Sequence, residues 1–269
     1  MAFPSLLLYI PANFMPSLGQ QKMITHKTKG IVLRAVKYGE TSLILAIYTE
    51  IFGLQSYLVN GVRKSTSKGA GRANVLQPAA LLDLIVYQNP LKNLQRIKEF
   101  KYALIYHHIF FDVFKNSVAL FMVELLLKIL KQPEPNPDLF YFVENAFQVL
   151  DQSEESVVAN FPLFFCLHLA GFFGLRIQDN YSEVNQYLDL AEGVFVSEVP
   201  QHSLYLAPPL GFHASQLLKV MHPDELVQLH LNQETRRSLM LAFLNFYSFH
   251  VAEFGQMKTV PVLQTVFSD

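Results

Sequence analysis

The residues in this sequence that are best suited to chemistry are four cations in the segment GVRKSTSKGAGR at positions 61–72. They are separated by glycine, serine and threonine, without an acidic residue, and they are Arg63, Lys64, Lys68 and Arg72. Cations on a loop of small residues can bind the oxygen atoms of phosphate groups. The segment lacks the G-x-x-x-x-G-K-[ST] spacing of a nucleoside triphosphate site, so nucleotide hydrolysis is disfavoured. Two interpretations remain, a polyanion-binding loop and a solvated surface loop.

The charge of the chain is divided between two regions, which favours the first interpretation. Residues 23–102 contain twelve Lys and Arg against four Asp and Glu, a net charge of +8. Residues 103–269 contain eight against eighteen, a net charge of −10, and with Lys22 the whole chain sums to −1, which hides this division. A local positive field concentrates phosphates whatever the net charge of the protein. We therefore expect residues 23–102 to form a polyanion-binding module joined to a different domain.

The basic region is predicted to be a small β-barrel. β-Branched and aromatic residues occur there in short runs that end at turn residues, which is typical of strands. The runs cover 29–38, 42–52, 54–62, 80–88 and 94–102. Alternation along the first three runs predicts one shared face for Ile31, Leu33, Leu43, Leu45, Leu54 and Leu58. Five short strands with a long loop between the third and the fourth favour a closed barrel of the OB type over an open sheet with exposed edges.

Further cations lie on or next to the first and the last predicted strands, which should lie close together in such a barrel. With the loop they give ten candidate nucleic-acid-binding residues: Arg34, Lys37, Arg63, Lys64, Lys68, Arg72, Lys92, Arg96, Lys98 and Lys101. A groove there suits a single strand, because its phosphates can meet cations while its unstacked bases lie on aromatic faces. The candidate stacking residues, each of them equally suited to the core, are Tyr38, Tyr48, Tyr57 and Tyr87. Binding through phosphates would not depend on base sequence.

After residue 102 the spacing of hydrophobic residues becomes helical, and a mainly α-helical domain is predicted for residues 103–269. Helices are expected at 103–114, 116–131, 137–150, 155–174 and 234–254. Residues 177–212 have no helical period, and within them YLDLAEGVFVSE at 187–198 predicts a short hairpin that turns near Glu192 and Gly193. The predicted fold class is therefore α+β, with the barrel at 23–102 and with residues 1–22 as an N-terminal extension outside both domains.

Several classes of protein are disfavoured by what the sequence lacks. A single cysteine, Cys166, excludes an internal disulfide and every C-x-x-C zinc site, and its apolar neighbours indicate a buried thiol in a reducing compartment such as the cytoplasm. The apolar start lacks the cationic region and the cleavage site of a signal peptide. The apolar segment 157–175 contains Asn160, Pro162 and His168, which favours a buried helix over a membrane span. Neither a membrane location nor a cofactor is expected.

No catalytic residue is predicted, because the sequence has no H-E-x-x-H or G-x-S-x-G motif and no paired carboxylates in a polar setting. One alternative is a metal-dependent hydrolase that uses His202 and His213 with Asp189 or Glu192. Surface histidines without a metal are more common, so no metal site is predicted either.

A second small group of cations lies near the predicted C-terminal helix. Its members are Arg236, Arg237 and Lys258. Such residues are usually solvated, but beside an apolar groove they would suit an acidic and hydrophobic peptide tail. We therefore treat these three residues as candidates for binding a partner protein.

Two segments of the chain resemble the RecO family of bacterial DNA repair proteins. Residues 28–68 carry T-x-G-I-V-L-R, then Y-G-E and then G-x-R-K-S, as at the start of that family. Residues 236–267 resemble its closing helix and terminal segment, so the two matches flank nearly the whole chain from Met23. The resemblance implies an N-terminal OB-fold and a C-terminal helical domain, which bind single- and double-stranded DNA and anneal complementary strands without enzymatic activity.

The resemblance also implies partners. The family helps to replace single-strand-binding protein by RecA on DNA, together with RecR and in some settings RecF, in the cytoplasm at the nucleoid. Its DNA-binding surface would correspond here to Arg34, Lys37, Arg63, Lys64, Lys68 and Arg72. The acidic C-terminal tail of single-strand-binding protein would be a ligand for Arg236, Arg237 and Lys258. A second hypothesis is an adaptor whose basic barrel binds RNA while its acidic helical domain docks proteins.

One feature of the family is missing from this chain. Many members carry a four-cysteine zinc motif after the long central helix, whereas the corresponding segment here, 180–203, contains no cysteine. Zinc is therefore not expected. We expect the predicted hairpin to stabilise this part of the fold through the packing of Leu188, Val194 and Phe195 instead.

Overall fold

The computed structural model describes residues 24–63 and 73–268, so the extension 1–22 and the loop cations Lys64, Lys68 and Arg72 lie outside the described residues. Five strands form a closed barrel in the order β1-β2-β3-β5-β4. They are β1 Thr25–Tyr38, β2 Ser42–Thr49, β3 Gly53–Val59, β4 Leu81–Tyr87 and β5 Leu94–Tyr102. Neighbouring strands are antiparallel, except that β3 and β5 are parallel. This topology confirms the predicted five-stranded barrel of the OB type.

Alternate residues of each strand fill the barrel, but the predicted shared face is wrong for β1 and for β3, where Leu54 and Leu58 pair with the outward-facing Tyr48 and Ile44. Leu43 and Leu45 pack inside the barrel, whereas Ile31 and Leu33 pack outside it, in the core of the helical domain. In β1 the inward-facing residue before Ile31 is Gly30. A Cβ atom on Gly30 would lie only 2.6 Å from Ile47 Cγ2 of β2. Because helices cover part of the outer surface, β1 carries hydrophobic residues on both of its faces, and alternation alone does not identify the inner one.

Seven α-helices and one 3-10 helix follow the barrel within the described residues. They are α1 Val113–Ile129, α2 Pro137–Gln152, α3 Glu155–Val158, α4 Phe161–Gly171, α5 Leu210–Lys219, the 3-10 helix Pro223–Gln228, α6 Gln233–His250 and α7 Thr259–Val266. Side chains from α1, α2, α4 and α6 form one hydrophobic core, whose fully buried rings include Phe121, Phe147, Phe165 and Phe243. This arrangement confirms the predicted mainly helical second region.

The predicted helix at 103–114 is wrong, because residues 103–112 form a non-helical segment that leads into α1. The carboxylate of Asp151, near the end of α2, accepts hydrogen bonds from three consecutive backbone N–H groups, those of His107, His108 and Ile109. These bonds replace the helical hydrogen bonds that the same N–H groups would otherwise need. The side chains of Tyr106 and Ile109 are buried by the resulting turn.

The other helices differ from prediction mainly at prolines and caps. The predicted helix at 155–174 is divided into α3 and α4, and Pro162 lies in the first turn of α4, where its missing N–H has no cost. The last long helix ends at His250 rather than at 254, since Val251 is already extended. Helices α5 and α7 were not predicted, and α7 contains Pro261 in its first turn, a residue that lowers the helical signal of the sequence.

A three-stranded sheet inserted between α4 and α5 confirms the predicted hairpin. Its strands are β6 Tyr187–Asp189, β7 Val194–Val196 and β8 Tyr205–Leu206, in the order β7-β6-β8. The hairpin turns at Gly193, whose φ of +70° suits glycine, and Asp189 Oδ1 accepts bonds from the N–H groups of Ala191 and Glu192. Leu188 and Phe195 are buried in the helical core, and Val194 is half-buried. The hairpin therefore packs against the helical domain, within the segment 180–203 that contains no cysteine.

Contacts between β1–β3 and residues in or just before α2 join the barrel to the helical domain. Lys29 Nζ lies 2.7 Å from Glu144 Oε1, and the Tyr48 hydroxyl donates to the carbonyl of Asn136 at 3.1 Å. Gly53, with φ of +62°, has no room for a Cβ atom because the backbone of Glu134 lies against it. The two domains therefore dock through specific contacts. None of the helices in the described ranges has the length and apolar character needed to span a bilayer.

Candidate nucleic-acid interface

Outward-facing side chains form a row that crosses all five strands of the barrel. The register pairs Val36 with Ile44, Ile44 with Leu58, Leu58 with Arg96, and Arg96 with Tyr87. Paired residues point to the same side of a sheet, and the neighbours of these residues in β2 and β3 fill the barrel interior. At about 4.8 Å between strands, the row is about 14 Å wide from β1 to β5. It presents an apolar centre with an arginine beside it.

Cations border this row on both sides. Arg34 lies in the next row, where it pairs with Ala46 of β2. Across β2 and β3, a cavity of about 460 Å³ is lined by Leu58, Lys92 and Arg96, and an adjoining one of about 290 Å³ is lined by Lys98 together with Tyr87. We call this surface the outer basic face, and it consists of Arg34, Val36, Ile44, Leu58, Tyr87, Lys92, Arg96 and Lys98.

The charges of this face are largely uncompensated within the described part of the chain. No carboxylate oxygen there lies within 4.0 Å of the charged groups of Arg34, Lys92 or Arg96, and all three side chains are exposed. Lys98 lies 3.7 Å from Glu99, but both side chains are exposed, and such surface pairs contribute at most about 1 kcal/mol. A ligand phosphate can therefore compete for all four cations.

Two of the predicted cations lie away from the outer basic face. Lys37 is three residues after Arg34, so it points to the opposite side of β1, and its partner in the register is the inward-facing Leu43. Lys101 pairs with Asp83 of β4, and their charged groups are 3.4 Å apart. The first and last strands, which were expected to lie close together, are not neighbours in the barrel, because β4 lies between them.

Arg63 joins the basic loop to the turn between β1 and β2. Its backbone N–H donates to the carbonyl of Thr41 at 2.9 Å, and its guanidinium donates to the carbonyl of Gly39 at 3.3 Å. This turn follows Lys37, so Lys37 and Arg63 lie at the same end of the barrel. The structure describes the predicted basic loop only up to Arg63, and describes the chain again from Ala73.

Burial separates the four tyrosines that were candidates for stacking. Tyr48 and Tyr57 are fully buried, and burial raises the pKa of the Tyr57 hydroxyl to about 12 and raises that of Tyr48 as well. Neither ring can reach a base. Tyr38 is 54% exposed and follows Val36 on the same side of β1, and the half-buried Tyr87 belongs to the outer basic face. These two are the available aromatic surfaces among the four.

Two of the three C-terminal cations line a common groove, and the third does not. A cavity of about 350 Å³ lies between the start of α4, α6 and α7, and its lining combines Arg236 and Arg237 with apolar side chains that include Leu163, Met240, Val260, Leu263 and Phe267. Arg237 is exposed, whereas Arg236 donates to the carbonyl of Leu231, and burial lowers the pKa of its guanidinium. Lys258 does not line this groove, and its backbone N–H donates to Glu124 Oε1 at 2.8 Å.

The histidines considered for a metal site do not form one within the described ranges. His202 Nε2 lies 3.2 Å from Asp189 Oδ2, but no group of three His, Cys, Asp or Glu residues with metal-binding geometry occurs there. His213 lies on α5 with its ring beside Phe212. Cys166 is buried, and burial raises the pKa of its thiol well above its ordinary value. A thiol of this kind is inert.

Comparisons with known proteins agree on one family over most of the chain. The family model described as recombination protein O N terminal matches residues 23–106, which contain the barrel. The model described as recombination protein O C terminal matches residues 111–258, which contain most of the helical domain.

Full-length relatives carry the same description. A protein of Bacteroides fragilis named DNA repair protein RecO is 34% identical over 244 residues, which is 90% of this chain and 98% of the relative. Proteins with the same name from Flavobacterium psychrophilum and Phocaeicola vulgatus are 31% and 30% identical, each over 90% of this chain and 99% of the relative.

Proposed function

This chain belongs to the recombination protein O (RecO) family of DNA repair proteins, and on that premise we propose that it binds DNA through the outer basic face of its barrel and anneals complementary strands. The observation that carries the proposal is the position of Arg34 and Arg96 on either side of the apolar residues Ile44 and Leu58. Strands 2 and 3 of an OB-fold, with the loops next to them, are the surface that commonly binds oligonucleotides.

The chemistry of the face suits a single strand. Arg34, Lys92, Arg96 and Lys98 can neutralise phosphates, while bases lie over Ile44, Leu58 and the rings of Tyr38 and Tyr87. Neutralised phosphates release counterions, which drives binding, and they also repel a second strand less. Complementary strands can then pair on the protein without nucleotide hydrolysis. Double-stranded DNA offers the same phosphates, but its stacked bases cannot contact the apolar centre.

We expect binding to a single strand to weaken steeply with salt. If about four to six phosphates are neutralised, a plot of log Kobs against log salt concentration should have a slope of about −3 to −4. Fluorescence anisotropy of a labelled oligonucleotide measures the slope, and an unlabelled RNA of the same sequence tests the alternative of an RNA-binding adaptor. A slope near zero, or tighter binding of RNA than of DNA, would contradict the proposal. An annealing assay with complementary strands and no nucleotide completes the test.

We further propose that the groove between α4, α6 and α7 binds the acidic tail of single-strand-binding protein. Its apolar floor suits a hydrophobic terminal side chain, and Arg236 and Arg237 suit the carboxylates. Such docking would bring the barrel to DNA that is already coated. It would thereby support the loading of RecA, with RecR and in some settings RecF as further partners.

Replacing Arg237 by glutamate should reduce the affinity of the groove for an acidic tail peptide by about tenfold or more, because one attraction becomes a repulsion in a partly desolvated site. Lys258→Glu is the matched control, since Lys258 is an exposed cation in the same domain that does not line the groove. Isothermal titration calorimetry with the peptide measures both variants. Equal losses in the two would show that the helical domain attracts the peptide through its general field and not through this groove.

A further inference from the structure

The loop between β4 and β5 is held in one shape by a buried side chain. Gln95 is only 4% exposed, and its Oε1 accepts from the N–H of Asn89 at 2.9 Å while its Nε2 donates to the carbonyls of Asn89 and Lys92. Asn89 Oδ1 also accepts from the N–H of Leu91 at 3.0 Å, and the N–H of Lys92 donates to the Asn89 carbonyl at 3.0 Å. A loop fixed by this many hydrogen bonds loses little conformational entropy when it binds a ligand.

This fixed loop holds a leucine out in solvent. Leu91 is 90% exposed, more than any other large hydrophobic side chain in the described residues. Leu91 does not line the adjacent cavity on the barrel surface, which contains Leu58 and Leu94. An apolar side chain that the backbone holds away from its own core is positioned for a ligand.

Leu91 is adjacent in the chain to a residue of the outer basic face, Lys92. The next residue, Lys92, lines the cavity that also contains Leu58 and Arg96, so the loop forms the β5 end of that face. Two of the residues that line this cavity, Lys92 and Arg96, are cations with no carboxylate oxygen within 4.0 Å among the described residues. This local positive charge favours an anionic occupant over a neutral hydrophobic protein surface, and under the proposed function that occupant is a nucleic acid.

We propose that Leu91 inserts between two adjacent bases of the bound single strand and unstacks them. The proposal rests on the proposed function, because it needs a strand on the outer basic face. Apolar wedges such as leucine separate base steps at a cost of a few kcal/mol, which nearby phosphate contacts offset. Here Lys92 and Arg96 supply contacts beside the wedge. A strand whose bases are separated from each other presents their pairing edges to a complementary strand.

The experiment uses 2-aminopurine, whose fluorescence is quenched by stacking, within an oligodeoxyadenylate of about 12 nucleotides, a length that spans one OB-fold. The full chain should increase the fluorescence by about twofold or more when it binds. Leu91→Ala should remove the increase, while Leu91→Met, which keeps a wedge without an aromatic ring, should retain it. Val184→Ala is the control, because Val184 is 69% exposed in the helical domain. At these exposed positions the substitutions leave the fold intact.

Fluorescence anisotropy of the same strand distinguishes a failure of the Leu91 wedge from a failure of DNA binding. Binding by Leu91→Ala should stay within about fivefold of the unmodified chain, because the phosphate contacts remain. If the unmodified chain binds and the fluorescence increase is absent, or if it persists in Leu91→Ala, the wedge is overturned while DNA binding stands. If the unmodified chain does not bind DNA at all, the proposed function fails first and the wedge fails with it.

Discussion

Replacing Arg34 and Arg96 together by glutamate is expected to reduce the affinity for single-stranded DNA by about a thousandfold at low salt. Each substitution removes one phosphate contact and adds a repulsion at a position beside the apolar centre of the outer basic face. The slope of log Kobs against log salt should become less negative by about 1.4, since each contact contributes about 0.7 on a single strand. Anisotropy titrations at two or more salt concentrations measure both quantities.

The matched control carries the same change of charge on another side of the barrel. Lys27 and Lys101 are exposed, and they lie in rows with Ile85 and Asp83 of β4, outside the outer basic face. Lys27→Glu with Lys101→Glu should weaken binding by no more than about tenfold, through the general field alone. Similar losses in the two double variants would mean that DNA is held by the overall charge of the barrel and has no preferred face.

The basic loop can be tested by the same measurement. Reversal of all four cations to glutamate, at Arg63, Lys64, Lys68 and Arg72, should abolish binding to unrelated sequences if these cations bind phosphates. Only Arg63 of these four is described by the structure, where it lies at the end of the barrel next to the turn after Lys37. If the affinity of the loop variant is unchanged while the Arg34 and Arg96 variant fails to bind, the face alone would hold DNA.

The strands of the barrel could be predicted from the sequence, but the side on which each cation lies could not. Strands follow from local alternation and turn residues, whereas Arg34 depends on a bulge. Strict alternation from the outward Ile31 would place Arg34 inside the barrel. The register shifts between Val32 and Arg34, so that Leu33 and Arg34 both lie outside.

The position of Arg96 illustrates a second limit. It reaches the outer basic face because β5 runs parallel to β3 and places Arg96 beside Leu58. Parallel pairing joins segments that are distant in the sequence, and no short-range pattern encodes its register. The charge of the sequence therefore identifies the basic region of the chain, and the structure is needed to divide its cations among the faces of the barrel.

A carboxylate in the helical domain illustrates the same limit, because it fixes a segment that is distant from it in the sequence. Asp151 occurs at the end of α2 with nothing in its local sequence to mark it, and yet it determines the conformation of residues 107–109, which are more than 40 positions away. The spacing of hydrophobic residues in 103–114 predicts a helix. The prediction fails because the acceptor of these N–H groups, Asp151, is distant in the sequence. The stability of this turn should depend on one side chain.

Asp151→Ala is expected to lower the free energy of unfolding by about 3–5 kcal/mol at neutral pH. Asp151 is 4% exposed, and its removal leaves the N–H groups of His107, His108 and Ile109 without their acceptor, that of Ile109 in a buried position. Urea denaturation followed by circular dichroism measures the loss. Asp112→Ala is the control, because Asp112 caps α1 by accepting from two N–H groups at a half-buried position, and its loss should cost about 1 kcal/mol.

The dependence on pH distinguishes a charged acceptor from a merely well-packed side chain. Burial would by itself raise the pKa of Asp151, but the hydrogen bonds from the three backbone N–H groups outweigh it and hold the pKa below its ordinary value. A carboxylate of this kind stabilises the fold fully above the unfolded pKa of about 4, and the contribution is lost as pH falls through the folded pKa. The difference between the unmodified chain and Asp151→Ala should therefore shrink below about pH 4. A difference that stays constant with pH would assign the effect to the cavity left by the side chain, since packing does not titrate.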